Sequence, residues 1–296
     1  MMMGTFQARR LVVLVAAAAA IALPFHPDGA HSAEPPAQDP ATPGSSSDSR
    51  QGMDSVTVEA KRDGQLKSQI SEFIAGLVVR YGNGSLERWN TPICPLVAGL
   101  PSERGEFILA RISRIARDSH APLAAEHCKP NLSVIVTDNP DLLVEEWSQR
   151  NRGLLNTCNG MGYIKAFLHS RQPVRVYYNG KCHPTAGNEL VSRLRYSAVQ
   201  ELASVIIVVD SRRTTDLDIG QLADYVAMVG LAQVRADADS SEAPSILSLF
   251  GKPDPRPQGL SPWDQSFLHG LYTTNPSSAL QVSTIKTSMF RQIGGH

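Results

Sequence analysis

The chain reads as a single α+β domain, a mixed sheet with helices packed on it, placed behind an export signal. Three observations predict this. Helix-period and strand-like segments follow one another without the regular alternation of a doubly wound sheet. The segment Ser204 to Asp210 holds Val205-Ile206-Ile207-Val208-Val209, apolar on both faces, as a central strand requires. After that strand the chain offers only helical patterns to its end.

The N-terminus is the first element. Arg9 and Arg10 precede an apolar, uncharged run from Leu11 to Phe25, and small residues follow, with Ala30 and Ser32 at −3 and −1 of a cut after Ser32. That is the layout of a secretory signal peptide over residues 1–32. The run is shorter than the about 20 residues a membrane span needs. Residues 33–55 are Ala, Pro, Ser, Asp and Gln with few large apolar side chains, and read as a disordered linker. The folded domain is expected over 56–296.

Val56-Thr57-Val58 is a short β-prone entry. Gln65 to Val79 carries Leu66, Ile70, Phe73, Ile74, Leu77 and Val78 on one helical stripe. Ile93 to Ala98 is extended, and Pro92 and Pro95 remove ladder donors, which sends it to a sheet edge. Ser102 to Ser119 is a helix with the stripe Phe107, Ile108, Ile112 and Ile115. Asn131 to Thr137 is a strand, and Asp138-Asn139-Pro140 opens a helix through Gln149. Gly153 to Gly162 is irregular, Tyr163 to Leu168 suits a short helix or strand, and Val174 to Tyr178 is a strand. Asp218 to Val234 is a helix with Ile219, Leu222, Tyr225, Val226, Val229 and Leu231 facing inward. Ser245 to Phe250 is an apolar turn, and Pro253 to Gly259 crosses to a helix capped by Ser261-Pro262-Trp263-Asp264 that runs to Tyr272. Leu280 to Ile293 is a last amphipathic helix.

Composition excludes several partners. Removing residues 1–32 takes away Arg9, Arg10 and Asp28, which leaves one more acidic than basic side chain. A near-neutral chain lacks the electrostatic footprint of a nucleic-acid binder, and it holds no polybasic segment for anionic lipid. No nucleic acid, and no membrane contact after signal cleavage, is expected. Cys94, Cys128, Cys158 and Cys182 form an even set in an exported chain, hence two disulfides. Of three possible pairings, Cys94–Cys128 and Cys158–Cys182 join nearest neighbours, each worth roughly 3 kcal/mol by loop closure. His127-Cys128 and Cys182-His183 offer a competing Cys/His metal site, but no C-x₂-C pair supports it.

The usual catalytic motifs are absent. Asn159-Gly160-Met161-Gly162 is neither G-x-G-x-x-G nor a P-loop. There is no G-x-S-x-G. Asp210, with Ser211, Arg212 and Arg213, ends the central strand, where open sheets place ligands, and could form a polar or anion site against the simpler reading of a solvated loop. Glu145-Glu146 and the Asp216/Asp218 pair read as solvated faces. No two histidines stand at i, i+4, and no H-E-x-x-H occurs.

Two resemblances follow from the motifs. Leu86 to Leu100 (LERWNTPICPLVAGL) and Cys128 to Thr137 (CKPNLSVIVT), with the helix between, resemble a family of uncharacterised exported proteobacterial proteins, over the chain from about Val56 onward. More distantly, the layout is similar to zincin-like metallopeptidase domains. The corresponding pieces are Arg88-Trp89-Asn90-Thr91-Pro92-Ile93, Asn131 to Val134, Val205 to Val209, the helix ending Val229-Gly230-Leu231, Ser245-Ile246-Leu247, and Phe267-Leu268-His269-Gly270-Leu271-Tyr272. Counted back from Gly230-Leu231, that family's two zinc histidines fall on Ala223 and Ala227 and its catalytic glutamate on Asp224. Alanine offers no lone pair, so the resemblance implies a degenerate zincin-like fold without the peptidase machinery, a pseudoenzyme with no cofactor.

The expected function is a non-catalytic binding domain of the cell envelope, periplasmic or secreted, with a protein or peptide partner. The candidate binding residues are Asp210, Arg212, Asp224, Tyr225 and His269. The competing expectation is a periplasmic hydrolase assembled from Asp210, Ser211, Asp224 and His269.

Overall fold

A computed structural model describes residues 48–79, 85–150, 155, 161–181, 201–236, 238, 243–251 and 255–295. Among them the chain forms α1 (Asp48–Leu77), β1 (Pro95–Ala98), α2 (Ser102–Asp118), β2 (Leu132–Thr137), α3 (Pro140–Arg150), α4 (Met161–Leu168), β3 (Val174–Gly180), β4 (Leu202–Asp210), α5 (Ile219–Leu231), α6 (Pro262–Thr273) and α7 (Gln281–Gly294). Short 3-10 turns occupy Ser211–Arg213 and Ile246–Phe250. The expected signal peptide, most of the expected linker, Cys158, Cys182 and His183 lie outside the described residues.

The four strands make one mixed sheet in the order β1-β2-β4-β3. β1, β2 and β4 are parallel, and β3 runs antiparallel along β4. This is the expected α+β domain with a mixed sheet, and β4 holds the expected central place. Its alternation sorts two cores. Val205, Ile207 and Val209 join Leu132, Val134 and Val136 in the main core, which also takes side chains of α1, α2 and α5. Ile206 and Val208 face the other way with Tyr177, under Val144 of α3 and Ile164 and Phe167 of α4. A side-chain period of two on a sheet covered on both faces dictates this split.

The expected disulfide Cys94–Cys128 is present. It ties the residue before β1 to the loop before β2, and Asn131 reinforces the tie. The Asn131 carboxamide accepts from the Cys94 N–H at 2.7 Å and donates to the Pro92 carbonyl at 3.0 Å. Gly99 ends β1 at φ 85°, and a Cβ there would sit 1.9 Å from the Val136 carbonyl oxygen, so only glycine fits.

The C-terminus of α5 is closed by side chains from three other segments. Tyr178 Oη donates to Val229 O at 2.9 Å, Trp89 Nε1 to Gly230 O at 2.8 Å, and Tyr272 Oη to Leu231 O at 2.5 Å. The last carbonyls of a helix have no partner within it, so buried ends need such donors. Burial pushes both tyrosine phenols above their usual range, which keeps them protonated as donors. Arg88 repeats the device at α6, donating to Leu271 O and Thr274 O. The motifs Arg88-Trp89, Gly230-Leu231 and Leu271-Tyr272 are therefore one structural junction.

Three local readings need correction. Val56-Thr57-Val58 lies inside α1 and not in a strand; its β propensity is a weak prior beside the helix formers Glu59-Ala60-Lys61 that follow. Phe107 is 45% exposed, so the buried stripe of α2 is Ile108, Ile112, Ile115 and Ala116. The helix expected to reach Val234 stops at Leu231, where the side-chain donors take over its carbonyls. Tyr163 to Leu168 resolves as helix, in α4.

Candidate functional site

α5 starts at a capping box in which the Asp218 carboxylate accepts backbone N–H groups and the Gln221 side chain returns to the Asp218 N–H. Nearly every following residue is buried. On this apolar helix Asp224 is 1% exposed, and a charge so placed requires a partner. Arg111 of α2 supplies it. The guanidinium grips the carboxylate at two points, Nε on Oδ1 and Nη2 on Oδ2, the latter at 2.8 Å. The Leu260 N–H also donates to Asp224 Oδ2 at 2.8 Å. The hydrogen bond to Asp224 is the main reason the Arg111 pKa lies above its ordinary value. Gly259 makes room for this arrangement, since a Cβ there would lie 2.6 Å from Asp224 Oδ2.

The outer side of Arg111 lines a cleft of about 510 Å³ between α2, α6 and α7. Arg114 and Asp118 of α2, Gln265 and His269 of α6, and Gln292 of α7 share its wall. The cleft thus presents both charge signs together with amide donors and acceptors. His269 is half-buried, and its ring meets that of His120 edge to face, with centroids 5.1 Å apart.

The sequence-derived candidates separate into three places. Asp224 and His269 belong to the same region, joined through Arg111, which holds one and lines the cleft with the other. Asp210 caps the 3-10 turn after β4: its carboxylate accepts from the Arg212 N–H at 3.0 Å and lies 3.6 Å from Arg212 Nε. That engages Asp210 and Arg212 with each other at a strand end. Tyr225 packs its ring edge-on against Phe250 at 4.8 Å, and burial pushes its phenol up to about 12. Asp210, Asp224 and His269 each have a different partner: Arg212, Arg111 and His120.

Arg111, Arg114 and His120 are the functional candidates that sequence reading missed. Arg111, the partner of Asp224, lies 113 residues away on another helix, beyond the reach of local sequence pattern. The spacing Arg111, Arg114, Asp118 does put these side chains on one helical face.

Ala223 and Ala227, the positions to which the expected zincin resemblance assigned zinc histidines, are fully buried among apolar neighbours. Cys128 is bound in a disulfide and offers no thiolate. Among the described residues, no group of three or more His, Cys, Asp or Glu side chains is placed to hold a metal ion. No described helix is long and apolar enough to cross a membrane.

No family model matches this chain, and neither a curated protein nor a solved structure matches it.

Proposed function

We propose that this protein is an exported, non-catalytic binding domain of the cell envelope, which takes a peptide segment in the α2–α6–α7 cleft on a degenerate zincin-like scaffold. The Arg111–Asp224 pair carries this reading. Asp224 stands where the resemblance puts a catalytic glutamate. A carboxylate whose two oxygens are already taken by a guanidinium and a backbone N–H has no free lone pair aimed at a substrate or water, which a general base needs.

Further support comes from the element order. After Arg88–Ile93, which precede β1, the elements α2, β2, β4, α5, the turn Ile246–Phe250 and α6 follow the order of pieces on which the resemblance rests. Of the residues in those pieces, Arg88, Trp89, Gly230, Leu231, Leu271 and Tyr272 meet at the ends of α5 and α6, a structural role that would outlive a lost activity. The Arg9-Arg10 signal pattern and the disulfide agree with a periplasmic or secreted location. The cleft suits a peptide: Arg114 and the outer edge of Arg111 match a carboxylate, Asp118 an amine, and the Gln265 and Gln292 amides a peptide backbone.

Fluorescence polarisation on a panel of short peptides, with free and amidated C-termini, tests the reading. Saturable binding that falls at least about tenfold in Arg114→Glu, with the circular dichroism unchanged, is expected. Equal affinity in the Arg114→Glu protein would remove the cleft from the function.

A further inference from the structure

The loop after α2 holds His120 at φ 63°, the left-handed region. The His120 N–H donates to Arg117 O at 3.0 Å and the Ala121 N–H to Ala116 O at 2.8 Å. This pair of bonds is the helix-ending motif whose left-handed position glycine fills most often. A histidine here costs backbone strain and gives the helix end nothing that glycine would not. What it adds is an imidazole, and that imidazole lies against His269 with ring centroids 5.1 Å apart and planes at 74°.

We propose that His120 and His269 form a two-imidazole site for a borderline divalent transition-metal ion, Zn²⁺, Cu²⁺ or Ni²⁺, at the rim of the cleft. The separation fits. With metal–nitrogen bonds of about 2.0–2.1 Å, an imidazole centroid lies about 3 Å from the metal, so two imidazoles on one tetrahedral ion have centroids about 5 Å apart. Among the described residues neither ring makes a protein hydrogen bond. His120 is exposed and His269 half-buried, which gives an ion a way in. Carboxylates stand among the nearby arginines: Asp224 pairs with Arg111, and Asp118 lines the same wall as Arg114. Imidazole nitrogen suits these three ions over Mg²⁺ or Ca²⁺, which take oxygen ligands. An ion held by two side chains keeps open positions, and a carboxylate of a bound ligand can fill one.

The site is independent of the peptide reading, and its test does not involve a peptide. Isothermal titration of Ni²⁺ and Zn²⁺ into the chelator-stripped mature protein, beside His120→Gly and His269→Ala, decides it. One site is expected in the parent protein, weakened at least about tenfold in each variant. His120→Gly is the cleaner variant, because glycine prefers the left-handed position and the protein should keep or gain thermal stability while losing the ion. Parent-like binding in both variants would place the ion elsewhere and overturn the proposal. Absence of any binding up to about 1 mM metal would do the same.

Discussion

Arg111 of α2 and Asp224 of α5 are joined by a two-point ion pair whose Arg111 end lines the cleft. Asp224 is sealed, whereas the Arg111 side chain is 36% exposed. The pair therefore links the interior of the domain to the surface on which a ligand would act.

Removing Arg111 strands a buried carboxylate. A fully buried partnerless charge costs about 3–5 kcal/mol, and the solvent open to Arg111 lowers this to about 2 kcal/mol for Arg111→Ala. Urea unfolding measures it. The double variant Arg111→Ala/Asp224→Ala should recover part of the loss, and a single-variant loss below about 0.5 kcal/mol would show that the pair is not a structural lock.

The closure of α5 gives a second test. Trp89→Phe keeps an aromatic side chain but loses the indole N–H that serves Gly230 O together with some buried volume, and Tyr272→Phe deletes the hydroxyl that serves Leu231 O. Each leaves a buried carbonyl without its donor, at a cost of about 1–3 kcal/mol. Neither variant should change peptide affinity, because neither residue lines the cleft. Thermal melts and binding titrations on the same samples separate the two effects.

Opening the Cys94–Cys128 bond frees a 34-residue separation. Loop-closure entropy puts the loss in a Cys94→Ser/Cys128→Ser variant at about 3–4 kcal/mol. Chemical denaturation of the variant and the oxidised protein measures this directly, and equal midpoints would make the bond incidental to the fold.

Asp264 predicts a pH effect of unusual sign. It accepts from the Ser245 hydroxyl and from the Ile246 and Ser261 N–H groups, yet burial dominates and raises its pKa above the ordinary carboxylate value. The folded state then holds its proton to higher pH than the unfolded chain does. The contribution of Asp264 to stability is full below the unfolded value and is lost as pH rises through the raised one. Asp264→Asn should flatten that part of the stability profile. A parent profile that rises across the same window by an Asp264-dependent amount would contradict the assignment.

Much of the fold was legible because its signals are local. The run Val205 to Val209 marked the central strand, and Ser261-Pro262-Trp263-Asp264 marked the start of α6, which the structure closes with a capping box. Edge placement of β1 followed from Pro92 and Pro95. What stayed hidden depends on partners distant in sequence. Phe107 has the period of a core residue, yet the face it occupies meets no neighbour that buries it. The end of α5 is set by Trp89, Tyr178 and Tyr272, none of which lies on that helix. Asp224 was legible as a candidate residue but its partner Arg111 was not, and the cleft needed the meeting of α2, α6 and α7 to exist.

The most direct measurement is of turnover. The oxidised protein, with and without added zinc, is incubated with a complex peptide mixture, and products are read by mass spectrometry beside a His269→Ala control. Intact peptides under all conditions are expected from a chain with Ala223 and Ala227 in the core and Asp224 locked to Arg111. Cleavage by the parent protein that His269→Ala abolishes would contradict the non-catalytic reading and make the cleft an active site.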